Sequence, residues 1–300
     1  MSWIVITCIS AILLGIYDLL KKVSLNGNAV PPVLFFSVLT GACIWLPIWT
    51  LSIANPEVLA SLGLEIQKLS PLGHFHMITK SAIVGFSWIF AYVAVKHLPV
   101  SISGPIRASA PLWTIFMAVT FMNERPNVWQ WSGVFTILTS FYLFSLVGKL
   151  EGIHFHRDKW VGFMLVATIA GACSAIYDKW LLQTQNYGVA TVQCWFAFYL
   201  VAVLAPIYIH WKLKKDKNST FSWRWSIPGI GIMLIAADAL YFIAVKDSES
   251  LISLITPIRR ASVFVSFIGA VILFKEQHFQ RKFLLILLLL TGLLLLKIGT

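Results

Sequence analysis

Long apolar runs, separated by short polar connections, dominate the pattern of this chain. Ten runs of about 20 apolar residues, the helix length that crosses about 30 Å of hydrocarbon, lie near 3–22, 32–54, 78–97, 99–122, 128–148, 160–182, 188–211, 226–246, 250–274 and 281–299. Backbone groups inside a bilayer cannot bond to water, and the runs lack the alternating apolar and polar positions of a barrel strand. We therefore predict an all-α polytopic membrane protein with ten transmembrane helices.

A short pattern occurs twice within this apolar sequence. The tripeptide Pro-Ile-Arg occupies residues 105–107 and 257–259, and each copy begins 19 residues before a glutamate, Glu124 or Glu276. The correspondence extends outward, because residues 90–96 resemble 240–246 and the Ile-Tyr-Asp sequence ending at Asp18 recurs at Asp178. We therefore predict two homologous halves, residues 1–148 and 149–300.

An odd number of helices in each half has a topological consequence. With five helices per half, the second half must enter the membrane from the opposite side, so the two repeats are inverted. Inverted repeats are the usual construction of secondary transporters, which bind substrate near the bilayer midplane between the repeats. This architecture favours transport. The first apolar run belongs to the repeat and has no small-residue cleavage site after it, so we expect it to remain in the mature chain.

Composition agrees with a membrane protein and limits the partners. Hydrophobic residues make up 58% of the chain, charged residues only 12%, and the mean hydropathy is +0.82. The net charge of +11 does not indicate nucleic acid, because the basic residues are spread over short connections. They concentrate on the odd-numbered connections, which the positive-inside rule assigns to the cytoplasm. Taken literally, this rule places both termini outside.

The fourth predicted helix carries a family resemblance. Ala-Pro-Leu-Trp at 110–113, followed by Phe-Met-Asn-Glu at 121–124, resembles the fourth-helix pattern of the EamA family of the drug/metabolite transporter superfamily. The second half departs from it, since Val263 stands where Pro111 stands in the first. The resemblance implies a ten-helix bundle in the cell (inner) membrane that exports or exchanges a small polar metabolite. It also implies cytoplasmic termini, contrary to the charge pattern.

Charged residues inside the apolar runs are the best candidates for a substrate site, because each needs a partner or a wet cavity. They are Asp18, Arg107, Asp178, Asp238, Arg259 and Arg260. We hypothesise two repeat-related pairs, Asp18 with Arg107 and Asp178 with Arg259, that are exposed alternately as the halves rock. The alternative is that both are permanent ion pairs that only fix helix packing. Asp238 is either a proton-coupling group or the counter-ion of Arg260.

Several arginines in one cavity predict the charge of the substrate. Forked guanidinium donors hold carboxylates and phosphates, so we expect an anionic or zwitterionic solute. Arg107 lies four residues before Pro111, which is similar to a basic residue of the triose-phosphate carriers of the same superfamily. Trp88 and Tyr92 are mid-helix candidates for the cavity wall, with lipid or core contact as the alternative. Glu124 and Glu276, at helix exits, are interpreted as boundary residues.

Other chemistry is weakly represented. The pairs His74/His76 and His154/His156 lack a third ligand in sequence, so we predict no metal. The four cysteines fall in apolar runs and are expected to be small core residues. A membrane enzyme needs a nucleophile or acid/base motif that we do not find, so we predict no catalytic residue and no cofactor.

A flippase for a lipid-linked sugar is the alternative within transport. The expected partners are a small-molecule substrate and the lipid bilayer, and the oligomeric state stays open.

Overall fold

Helices are the regular elements of this computed structural model. The structure describes residues 3–121, 125, 127–150, 157–214, 220–250, 252–274 and 279–298, and within these ranges no strand occurs. The predicted all-helical class is confirmed. The predictions for Glu124, Glu276, His154 and His156 lie outside the described residues.

Seven helices occur among the described residues of the first half of the chain. Their bounds are α1 Trp3–Leu25, α2 Val30–Ala54, α3 Pro56–Ser61, α4 Pro71–His97, α5 Val100–Ala108, α6 Ala110–Phe121 and α7 Val128–Leu150. Helix α4 begins at a capped turn, because the Ser70 hydroxyl accepts a hydrogen bond from the Gly73 N–H at 3.2 Å. Prolines occupy the first turns of α2, α3 and α4, where a missing N–H leaves no helical bond unmade.

Within the described residues, the second half of the chain contains six α-helices and one π-helical turn. Its elements are α8 Lys159–Lys179, continued by a π-helical turn over Trp180–Thr184, then α9 Val189–Lys214, α10 Ser226–Lys246, α11 Ile252–Arg260, α12 Ser262–Phe274 and α13 Phe279–Ile298. The Asp158 carboxylate caps α8 by accepting a hydrogen bond from the Trp160 N–H at 2.8 Å.

Six helices within the described residues are long and apolar enough to cross a membrane. They are α1, α2, α4, α8 with its π-helical turn, α9 and α10. The predicted runs 99–122 and 250–274 each form two helices rather than one, because α5 ends before Ser109 and α11 ends before Ala261. At both breaks the backbone tightens into a hydrogen bond to the third preceding residue, Ser109 N to Ile106 O and Ala261 N to Ile258 O.

Proline explains only one of these breaks. Pro111 has no N–H to offer the carbonyl of Arg107, four residues earlier, and the Ser109 hydroxyl donates to the carbonyl of Ile106 at 2.7 Å. In the second half Val263 occupies the proline position, yet the break recurs after Arg260. The interruption directly after the arginine-bearing turn is therefore common to both halves.

The two halves interlock through close helix contacts. Helix α1 packs along α10, α4 along α8, α2 along α9 and α7 along α13. Small residues permit the closest approaches, as they do between helices in membranes generally. A Cβ added at Gly231 of α10 would lie only 2.4 Å from the Ser37 carbonyl oxygen of α2, and one at Gly15 of α1 would lie 2.9 Å from the Ser262 carbonyl oxygen of α12.

Gly231→Ala tests this packing. The new methyl group would overlap the Ser37 carbonyl and also lie 2.8 Å from Thr40 Cβ, so we expect a loss of about 1–3 kcal/mol of stability, as overpacking typically costs. The measurement is thermal unfolding of the purified protein in detergent. Gly162→Ala is the matched control, because a Cβ there meets nothing within 4 Å. Equal melting of the two variants would contradict the close α2–α10 contact.

Candidate functional site

A polar cavity lies at the centre of the bundle, between α1, α4, α8, α10 and α11. Its volume is about 130 Å³, enough for a small solute or a few waters at ~30 Å³ each. The charged side chains in its wall are Lys21, Lys80, Arg107, Asp178, Asp238, Arg259 and Arg260. The structure therefore brings almost all of the charges predicted to lie within the membrane to one place.

Asp18 forms the centre of a first charge cluster. Its carboxylate accepts hydrogen bonds from Arg107 Nη1 and, at 2.9 Å, from Lys21 Nζ. The predicted ion pair between Asp18 and Arg107 is present. Lys21 is a partner that the sequence analysis did not name: it lies at the end of the first predicted run, and α1 continues past it to Leu25. Its ammonium group lies over the Tyr17 ring at 4.6 Å, and the side chain is only 2% exposed.

A second cluster pairs differently from the prediction. Asp178 does not pair with Arg259: it accepts a hydrogen bond from Lys80, while Arg259 donates to Asp238. The physical reason is helix packing, because α4 runs along α8 and brings Lys80 to Asp178. The Lys80 ammonium lies over two rings, 4.5 Å from the centroid of Phe196 and 4.8 Å from that of Phe242.

Lys80 is the second residue that sequence reasoning missed. It lies near the start of an apolar run, where a lysine is easily interpreted as snorkelling to the membrane surface. The structure instead buries its side chain to 2% exposure. The predicted run begins at residue 78, close to Lys80, and so gave no signal of its depth. Helix α4 begins earlier, at Pro71, which puts Lys80 nine residues or about 13 Å into the helix, deep for a snorkelling group.

Arg260 differs from the other cations of the cavity. Among the residues that the structure describes, no carboxylate forms an ion pair with it, so Asp238 is the partner of Arg259 rather than of Arg260. The Nε atoms of both Arg259 and Arg260 are buried without a hydrogen-bond partner. With Asp18 included, five cations face three carboxylates. The site thus carries an excess of two positive charges.

The two aromatic candidates have different positions. Trp88 lines the cavity. Tyr92 is fully buried beside it, with its hydroxyl 3.5 Å from the Tyr17 hydroxyl and 3.4 Å from Ser37 Oγ. Tyr92 therefore supports the wall from behind, and Lys21 lies 5.3 Å from its ring centroid. Of the aromatic residues not predicted, Tyr241 is closest to the charges, because the Arg259 guanidinium lies 4.2 Å from its ring centroid.

The two clusters lie toward opposite ends of the bundle. Asp18 is seven residues before the end of α1 and Arg107 seven residues after the start of α5, which is about 10 Å along each helix. Lys80 follows the start of α4, and Asp178 and Asp238 precede the far ends of α8 and α10. The end of α1 lies beside the end of α4, because Lys22 donates to the carbonyls of Val95 and Leu98. The start of α4 is therefore at the opposite end of the bundle, and the second cluster lies nearer that end.

The histidine and cysteine candidates do not belong to this cavity. His74 Nδ1 lies 2.9 Å from the Tyr199 hydroxyl, and His76 Nδ1 lies 3.3 Å from the Tyr187 hydroxyl, so the two rings have different partners. The cysteines divide: Cys194 is buried and Cys173 half-buried, whereas Cys8 and Cys43 are exposed. The prediction of core positions is therefore wrong for Cys8 and Cys43, which face outward on apolar helices.

Comparison with known proteins bears on the family likeness and the fold of the chain. The EamA-like transporter family matches residues 1–146. A solved crystal structure is similar to the chain with a TM-score of 0.68, over 98% of this chain and 97% of its own length. Its sequence identity is 15%, so this likeness shows the fold alone. No curated protein matches the chain.

The pair between Lys80 and Asp178 gives a stability prediction. Lys80→Met leaves a carboxylate buried without its partner, which typically costs about 3–5 kcal/mol, whereas replacing both partners by apolar residues is often neutral. We therefore expect a large fall in melting temperature for Lys80→Met and recovery of most of it in Lys80→Met with Asp178→Leu. Lys68→Met, at an exposed position, is the control. If single and double variants melt alike, the pair is not coupled.

Proposed function

We propose that this chain, which belongs over residues 1–146 to the EamA-like transporter family of the drug/metabolite transporter superfamily, is a secondary transporter of a small anionic or zwitterionic metabolite. The observation that carries this proposal is the central cavity, in which five cations face three carboxylates and Arg260 has no carboxylate partner among the described residues. The proposed location is the inner membrane of the cell.

The proposed architecture is ten membrane crossings in two inverted repeats, residues 1–148 and 149–300. In this arrangement α5 with α6, and α11 with α12, each form one interrupted crossing, and α3 lies outside the count. Corresponding positions of the two halves support it, because Arg107 and Arg259 line the same cavity, and so do Trp88 and Asp238. The helix breaks at Ser109 and Ala261 correspond in the same register.

The substrate's charge follows from the unpaired donors. A buried guanidinium with no counter-ion is costly inside a membrane, and a carboxylate or phosphate group on the solute would remove that cost. Both guanidinium groups line the cavity, and their Nε atoms form no hydrogen bond among the described residues. A zwitterionic solute could place its ammonium group toward Asp178 or Asp238, which line the same cavity.

Alternating access requires one of the ion pairs to separate. Lys80 on α4 and Asp178 on α8 join the two proposed repeats, whereas Asp18 with Arg107 and Asp238 with Arg259 each lie within one repeat. Rocking of one repeat against the other would therefore open the cavity at the end where Lys80 and Asp178 meet. The pairs within each repeat can move with it as rigid units.

Ligand-induced stabilisation tests the site. A ligand at about 100 times its Kd raises stability by about 2.7 kcal/mol, so a screen of anionic, zwitterionic and neutral metabolites should find its hits among carboxylates or phosphates. Arg260→Met should remove the shift, because it removes the unpaired donor. Lys212→Met, at an exposed position near the end of α9, should keep it. Stabilisation by neutral solutes alone, or an unchanged shift in Arg260→Met, would refute an anion site.

A charge-reversed double variant separates a binding role from a packing role at Asp18. Asp18→Arg with Arg107→Asp preserves the ion pair in reverse. We expect a lower melting temperature in each single variant and a return toward that of the unmodified protein in the double variant. Uptake of the stabilising anion into proteoliposomes should stay at background if Arg107 also contacts the substrate. Recovery of both properties would show that the pair only fixes packing.

A further inference from the structure

Lys21 is a buried cation that shares its carboxylate with a second cation. Its side chain is 2% exposed and lines the central cavity, and its ammonium group lies 2.9 Å from Asp18 Oδ1. The same oxygen accepts a hydrogen bond from the Arg107 guanidinium. Lys21 and Arg107 therefore compete for one negative charge, and this cluster carries one more positive charge than its carboxylate can balance.

Lys80 provides a comparison within the same cavity. It is also 2% exposed, it lines the cavity, and its ammonium group lies over two aromatic rings, as that of Lys21 does. Its partner Asp178 forms no ion pair with another cation among the described residues. The two lysines are thus alike in burial and in ring contacts, and they differ in whether a carboxylate belongs to them alone.

The charged and titratable groups around Lys21 come from several helices. They are Tyr17 and Asp18 from α1, Tyr92 from α4, Arg107 from α5 and Arg260 from α11, with Asp238 and Tyr241 of α10 in the second cluster of the same cavity. Helices α2 and α12, which also pack on α1, contain no acidic or basic side chain. Lys21 is therefore subject to repulsion from two guanidinium groups and to attraction from one near carboxylate.

The charge balance of the cavity determines which group can exchange a proton. Five cations and three carboxylates leave an excess of two positive charges, and protonation of a carboxylate such as Asp238 would raise it to three. An arginine does not lose its proton in a protein. Release of a proton from Lys80 would leave Asp178 buried without a counter-ion. Release from Lys21 lowers the excess to one and leaves Asp18 paired with Arg107.

The surroundings of Lys21 accept both protonation states. A neutral amine still has N–H groups to donate to Asp18. The Tyr17 and Tyr92 rings, at 4.6 and 5.3 Å from Nζ, attract an ammonium group but do not require one, because their faces are apolar. Since Lys21 lines a cavity with room for a few waters, a proton can reach its nitrogen from water.

We propose that Lys21 is the proton-binding site of this carrier, and that an anionic solute and a proton occupy the cavity together. The coupling rests on the proposed function, which assigns the anion to Arg260. In the empty cavity Lys21 is a neutral amine. When a solute with one negative charge binds at Arg260, a proton from water forms a new N–H bond on Lys21. Four cations facing three carboxylates then become five cations facing three carboxylates and the anion, so the excess is one positive charge in both states.

Nuclear magnetic resonance of the full-length protein in detergent tests the proposal, with isotope-labelled lysine Cε atoms whose signals move when the ammonium group loses its proton. Loss of one signal in Lys21→Arg and of another in Lys80→Arg assigns the two buried lysines. We expect Lys21 to release its proton at a pH at least ~1 unit below that of Lys80, the lower end of the effect of a neighbouring charge. Lys80 is the matched reference because its burial is the same.

Arg260→Met tests the coupling without a ligand, because removal of one positive charge from the cavity imitates the arrival of a negative one. The pH at which Lys21 releases its proton should rise by about one unit, and Arg260→Gln should give the same rise with a polar side chain. Lys212→Met removes an exposed cation near the end of α9 and should leave the release unchanged.

The results separate this inference from the proposed function. Release of both protons at the same pH, or an unchanged Lys21 in both Arg260 variants, overturns the proton site even where anions stabilise the protein. The expected behaviour of Lys21, combined with a stabilisation screen in which no anion binds, supports the proton site and overturns the anion transporter.

Discussion

The need to neutralise charge away from water governs the interior of this protein. An isolated ion in a low-dielectric environment is so costly that it persists only when paired or hydrogen-bonded. Asp18, Asp178 and Asp238 each meet a cation from Lys21, Lys80, Arg107 or Arg259. These contacts constrain how neighbouring helices approach, because a shift of one turn would separate the partners by about 5.4 Å.

The same constraint connects packing with transport. Three carboxylates cannot neutralise five cations, and the excess is concentrated where Arg260 enters the cavity without an acidic partner among the described residues. Asp18 is shared by two cations, whereas Asp178 and Asp238 each have one. In the proposed function, an anionic group of the solute would reduce this excess of positive charge. In the proposed function, the empty carrier is the more strained state and the loaded carrier the better neutralised one.

The interrupted helices place Arg107, Arg259 and Arg260 in the wall of the central cavity. Successive residues on an ideal helix point about 100° apart, yet Arg259 and Arg260 both line the cavity. Helix α11 ends at Arg260, so the last arginine lies at a helix end, where the backbone departs from regular α-helical geometry. Close glycine contacts such as Gly104 with Val263 bring α5 and α12 together around the two breaks.

The sequence by itself determined the all-helical membrane class of this protein and pointed to its charged candidate residues. Apolar run lengths predicted membrane-spanning helices, and the fourth-helix pattern around Pro111 indicated a likeness to the EamA-like transporter family, which matches residues 1–146. The charges of Asp18, Arg107, Arg259 and Arg260 were recognisable because charge in such runs is costly. Only the tertiary structure decided the partners. Lys80 meets Asp178 because α4 packs along α8, and Asp238 takes the arginine that repeat symmetry assigned to Asp178. Sequence spacing sets the depth of a residue along its own helix, but a pair depends on which helices are neighbours and how each is rotated, and those depend on contacts between residues far apart in the chain.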